Sequence, residues 1–158
     1  MGRLTTALGR GLIAGAAGTT ALNAATYLDM VLRGRPASST PESTVDRAAD
    51  LLDVDIPGDD AQRDARRTAL GSLLGSAAGV GAGAVLGAVR ATGHPRGAAG
   101  TLALSWVLAM IAGNGPMTAL GVTDPRTWAA KDWAADVVPH LAFAAAATAT
   151  LRSWPSEA

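Results

Sequence analysis

Four stretches of this 158-residue chain hold no Asp, Glu, Lys or Arg: residues 11–28, 68–89, 97–123 and 137–151. That pattern constrains the fold more than any motif. A helix needs about 20 mostly apolar residues, within a range of roughly 17–25, to cross about 30 Å of hydrocarbon. The second and third runs meet that length unaided. The first, between Arg10 and Asp29, extends through Met30 to Leu32. The fourth extends back to Trp133 and on to Trp154, which stand roughly 31 Å apart at the helical rise. Indole rings favour both membrane interfaces, so this pair brackets a span. A soluble bundle would need a polar face on each helix, and these stretches leave too few polar residues to make one.

Composition sharpens the exclusions. Only 16% of the chain is charged, against about 25% in soluble domains. Thirteen basic and 13 acidic residues cancel, so the basic excess of a nucleic-acid binder is missing. With no cysteine, a disulfide scaffold, a thiolate nucleophile and Cys-ligated metal sites are excluded. The first run has the basic start of a signal peptide in Arg3 and Arg10. Asn23 and Tyr27 interrupt its apolar stretch, and it is read as a span.

Residues 33–67 form the one long polar segment, with eight of the 13 acids and six of the 13 basic residues. Gly34 and Pro36 end the first helix. Thr40, Pro41 and Glu42 resemble an N-cap, a first helical position and an acidic first turn. Val45, Ala48, Ala49 and Leu52 recur at helical spacing, with Asp46, Asp50 and Asp53 off the stripe, which predicts a short amphipathic helix ending near residues 55–58. Asp59 or Asp60 then caps a helix that runs through Arg63, Arg66 and Arg67 into the second span. The short helix reads as a packed cap at the membrane face.

Glycine supplies the strongest spacing. Gly71, Gly75, Gly79, Gly83 and Gly87 fall every fourth residue, and Gly11 and Gly15 open a similar row continued by Thr19, Asn23 and Tyr27. Thr101, Ser105, Ala109 and Gly113 form a third. Residues four apart share a helix face. In lipid, rows of small residues let helix backbones approach closely. The partner helix lies in the same chain, in a second copy or in a larger complex. Gly79 to Gly83 lacks the preceding strand and the Lys–Ser/Thr pair of a nucleotide loop.

Polar groups at membrane depth are costly and mark candidate sites. Asp136 and His140, four apart, can pair directly, and a carboxylate beside the ring would fix its tautomer. The plainer reading gives Asp132 and Asp136 to the helix N-terminus and His140 to an interhelical bond. Asp29 is four residues before Arg33, a well-oriented helical ion pair. Asn23 and Asn114 lie deeper and need partners. Asn114, Gly115 and Pro116 predict a kink or break in the third span. No metal-ligand set, cofactor motif, nucleophile elbow or inverted repeat is evident, so no enzyme activity is expected.

The last third carries a resemblance. Gly121-Val122-Thr123-Asp124-Pro125, then Trp128 or Trp133, then Asp136 and His140-Leu141 opening a helix that ends at Arg152, is similar to the C-terminal part of the YagU-like inner-membrane proteins, with Pro139 where that family has Gly. Gly11-Leu12-Ile13-Ala14-Gly15 is also similar. This resemblance implies a link to acid tolerance, with Asp136 and His140 as the matched residues. The whole chain resembles small four-span membrane proteins of high-GC Gram-positive bacteria. The carrying stretches are Thr19 to Asn23, Thr26 to Met30, Arg33 to Glu42 and Val54 to Gly58. That family implies no known activity.

The expected architecture is all-α: an integral membrane four-helix bundle in a single domain. Its spans lie near 8–32, 68–90, 98–122 and 133–153, with the helical cap in loop 33–67. It is a multi-pass protein of the plasma (inner) membrane, whose partners are the bilayer and a second copy or a membrane complex. The leading expectation is a non-enzymatic structural or accessory component. The alternative is a small channel or proton- or solute-handling protein using Asn23, Asp29, Asn114, Asp136 and His140. Lys and Arg counts alone put the long loop in the cytoplasm, whereas the basic start of the first helix and the YagU-like resemblance favour cytoplasmic termini.

Overall fold

The computed structural model describes residues 2–95 and 97–154, and among these there are five α-helices, one 3-10 turn and no strand. The helices are α1 (Arg3–Arg33), α2 (Thr40–Leu52), α3 (Asp60–Ala91), α4 (Gly97–Ala119) and α5 (Ala130–Arg152), with the 3-10 turn at Pro125–Thr127. α1 packs on α3 and α5, α4 packs on α5 and α3, and α2 lies against α3.

Helices α3, α4 and α5 are long and apolar enough to cross a membrane. α1 is not among them, although it has 31 residues. Thr19, Thr20, Asn23 and Thr26 dilute the hydropathy of its middle. Four spans are therefore not established by length and composition.

Local chemistry sets the helix ends. Gly34, at φ 60°, closes α1 in the left-handed conformation that glycine adopts freely. α2 begins one residue earlier than its sequence indicates: Ser39 is the N-cap, and Thr40 is already helical. It also stops earlier, at Leu52 rather than near residues 55–58, because Asp53 turns left-handed (φ 53°) and Val54 N–H closes onto the Ala49 carbonyl at 3.0 Å. Leu52 consequently falls off the buried stripe, whereas Val45 is buried. Asp59, not Asp60, caps α3: its carboxylate accepts from Gln62 N–H at 2.9 Å, and Gln62 returns a bond to the Asp59 N–H.

Of the kink or break expected at Asn114-Gly115-Pro116, the break does not occur, since α4 continues through Pro116 to Ala119. The ring removes one N–H from the ladder, but a helix tolerates that where neighbouring groups are packed against it. Termination comes instead at Gly121 (φ 72°), where Val122 N–H reaches the Met117 carbonyl at 2.9 Å. α5 starts three residues before Trp133. Asp132 accepts from the Ala129 N–H at 3.1 Å and holds that first turn.

The core is thin and built mainly of small residues: Ala14, Ala82, Leu86, Ala109, Phe143, Ala147 and Leu151. Phe143, the largest fully buried side chain, reaches the centre because Gly18 has no side chain. A Cβ on Gly18 would lie 2.7 Å from the ring.

Candidate functional site

The glycine rows serve several contacts. Gly79, Gly83 and Gly87 face α1, opposite Gly11 and Gly15. A Cβ on Gly15 would stand 2.7 Å from the Gly79 carbonyl oxygen and 2.9 Å from Val80 Cα. Carbon atoms in contact prefer about 3.5–4.0 Å, so neither backbone leaves room for a methyl group. Gly71 meets the cap instead, where an added Cβ would lie 2.9 Å from Pro41 Cβ. Gly75 and Gly81 have nothing within 4 Å. The five-member row thus splits into one contact with α2, one open position and three contacts with α1.

The polar candidates separate into three places. Asn114, Asp136 and His140 meet between α4 and α5. Asn114 Nδ2 donates to Asp136 Oδ2 at 3.0 Å. His140 Nδ1 lies 2.7 Å from the Asp136 backbone carbonyl and 3.4 Å from its carboxylate Oδ1. A backbone carbonyl can only accept, so Nδ1 is the donor in that contact, and Nε2 lies on the other side of the ring. That Nε2 faces Gly113, where a Cβ would come within 3.0 Å of it. His140 is 9% exposed. Asp136 is the only charged side chain paired with it among the described residues.

Asp29 lies elsewhere. It joins Arg33 at 3.1 Å, the pair expected from spacing, and also Arg35. The second arginine follows the Gly34 turn, which folds the chain back over the helix end and makes a pair that helical spacing does not encode. Asn23 is exposed on α1, and the partner expected for it is not found, since it has no side-chain hydrogen bond among the described residues. The five polar candidates therefore do not converge on one site.

Three further polar atoms are buried without a hydrogen-bond partner: Ser105 Oγ, Trp106 Nε1 and Thr148 Oγ1. Ser105 and Thr148 are 0% and 5% exposed. The sequence shows Ser105 as a member of a small-residue row without a nucleophile-elbow context, and its burial is not legible there because it depends on which helices flank α4. No group of three or more His, Cys, Asp or Glu side chains suited to a metal exists among the described residues.

Charge concentrates at the cap. Arg67 bonds Asp46 across α2 and α3 and Asp64 along α3. The Asp46 hydrogen bond raises the guanidinium pKa above its ordinary value. Beyond α4, Arg126 grips Asp124 through two nitrogens. That contact holds the Asp124 carboxyl below the usual carboxylate range. Trp128 and Trp133 stack edge to face at 5.0 Å beside this turn.

Among the described residues the fold is helical without strands, and three of its helices have the length and apolar composition of membrane spans, which suggests a helical membrane protein. Comparison with family models, curated proteins and solved structures finds no match to the chain.

Proposed function

We propose that the chain is a multi-pass protein of the plasma membrane in which α1 forms a fourth span, and that its role is structural or accessory rather than enzymatic. The observation that carries this reading is the backbone contact of α1 with α3 at Gly11, Gly15, Gly79, Gly83 and Gly87. An α1 lying outside the bilayer could not keep that contact along a helix inside it. Two hydroxyls in its middle are satisfied locally: Thr19 bonds the Gly15 carbonyl at 2.9 Å and Thr20 the Ala16 carbonyl at 3.0 Å. Such back-bonding suits a hydroxyl to hydrocarbon. The resemblance to small four-span proteins of high-GC Gram-positive bacteria agrees with this topology. Its partners are the bilayer and either a second copy or a membrane complex. Gly79→Leu tests the packing: loss of folding or assembly is expected, and unchanged size in detergent with unchanged thermal stability refutes it.

The Asn114–Asp136–His140 cluster favours a second reading, proton handling linked to acid tolerance as the YagU-like resemblance implies. A buried imidazole whose Nδ1 meets the Asp136 backbone carbonyl, with the Asp136 carboxylate 3.4 Å away, brings together the groups that proton handling needs. Proteoliposome flux with wild type and His140→Ala checks it. Equal leakiness in both and in empty liposomes removes this reading.

A further inference from the structure

Four helix ends share one rim: the starts of α1 and α4 and the ends of α3 and α5. The charged side chains described there are Arg3, Arg10, Arg90 and Arg152. The sequence adds Arg96 and Glu157, which lie outside the described residues. The opposite rim is acidic, with eight basic residues against 11 acids, leaving Asp29 aside. The zero total charge is therefore a sum over two unlike faces.

Arg90 is the distinctive member. It stands in the last turn of α3, where helix carbonyls favour a cation. Its side chain is half-buried, and its one hydrogen bond among the described residues goes to Thr101 Oγ1 at 3.4 Å. Thr101 is 1% exposed, and its own hydroxyl donates to the Gly97 carbonyl, so that oxygen is oriented to accept from the guanidinium. A guanidinium has five N–H donors in a planar fork matched to phosphate. Most of that fork makes no hydrogen bond among the described residues, and no carboxylate among them pairs with it. Across the rim, the Arg10 guanidinium lies over the Trp154 ring at 5.8 Å. An indole in that position sits at headgroup depth.

We propose that this rim binds the phosphate of an anionic phospholipid headgroup, with Arg90 as the principal donor and the Arg10–Trp154 contact setting the depth. The site rests on the membrane-spanning reading above. A phosphate at this level is supplied by the lipid itself. A net-positive rim favours an anionic headgroup over a zwitterionic one, whose choline it repels. Each basic residue near such a surface contributes about 1 kcal/mol, which corresponds to about fivefold in retention.

The test uses the full chain in detergent, with phosphatidylglycerol, phosphatidylcholine or inorganic phosphate added. Thermal unfolding and native mass spectrometry are the readouts. Phosphatidylglycerol is expected to raise the unfolding midpoint and remain bound, and the other two are not. Arg90→Gln should weaken its retention about fivefold, and Arg63→Gln on the opposite rim should leave it unchanged. Arg152→Gln, at an exposed position, gives the same comparison if Arg90→Gln fails to fold. Equal effects of the two lipids, the same shift with inorganic phosphate, or no loss in either rim variant overturns the proposal. A single cysteine at Ala16, in a chain that has none, separates the two failures. Labelling by a membrane-impermeant reagent in vesicles removes the spanning reading and the lipid site together. Shielding of that cysteine combined with no lipid preference removes the lipid site alone.

Discussion

Gly83→Ala and Gly75→Ala add the same methyl group to the same face pattern of α3, two turns apart, and should shift stability in opposite directions. At position 75 nothing lies within 4 Å. The methyl group there costs no contact, and replacing a helical glycine with alanine gains about 0.8–1.0 kcal/mol. At position 83 the methyl carbon would lie 2.5 Å from Gly15 N and also meet Gly15 Cα and the Gly11 carbonyl oxygen, all backbone. Backbone cannot rotate away, so α1 and α3 must part by about 1 Å to restore ordinary contact. A gap of that size forfeits roughly a quarter to a half of the dispersion well for each atom pair along the seam. Overpacking of this kind costs about 1–3 kcal/mol, which meets or exceeds the helix-propensity gain of about 0.8–1.0 kcal/mol that alanine brings at this position too. For a chain of this length that separates the two variants by about 2–12 °C in unfolding midpoint, with Gly75→Ala above wild type and Gly83→Ala below it. Circular dichroism melts of the three proteins in one detergent measure the difference. Equal shifts, or a Gly83→Ala protein as stable as Gly75→Ala, would refute the claim that backbone approach holds α1 to α3.

Three other substitutions test separate parts of the molecule. Asn114→Leu removes the donor to Asp136 Oδ2 and should destabilise the fold by about 1–3 kcal/mol, the cost of a part-buried acceptor left unmatched, read from the same melts. Ser105→Ala removes a fully buried hydroxyl that has no partner, so stability should stay level or rise; a clear loss would mean that the hydroxyl is bonded. Asp124 has a folded-state pKa below its ordinary 3.8, chiefly through the Arg126 side-chain hydrogen bond. Its contribution to the turn is therefore complete above about pH 4 and is lost as pH falls through the lowered value. Hydrogen exchange at the Arg126 amide, which donates to Asp124 Oδ1, should accelerate on acidification in wild type and be fast and pH-insensitive in Asp124→Ala, which has no acceptor, once intrinsic exchange is divided out.

The helical content and the apolar stretches were legible because absence of charge is a local property of the chain. The partners of each residue were not, and the glycine rows give the reason. A row at every fourth position does not run straight along a helix. With 3.6 residues per turn it drifts by about 40° at each step. From Gly71 to Gly79 the row turns through about 80°, enough to leave α2, cross an open face at Gly75 and arrive at α1. On α1 the same drift carries Gly11 and Gly15 from the buried seam round to Asn23 and Tyr27, which are exposed. Spacing alone therefore makes Asn23 look like a member of a packed row, whereas geometry turns it outward. The row on α4 uses the drift to join two neighbours: Thr101 receives Arg90 from α3, and Gly113 receives His140 from α5. Asp136 and His140 could be paired from the sequence because both lie on one helix, four apart. Asn114 joins them only because α4 and α5 run antiparallel at the right level, which depends on where Gly121 ends one helix and Asp132 starts the next. Local spacing thus fixes pairs within a helix, and the capping residues of the connecting turn determine which groups meet between helices.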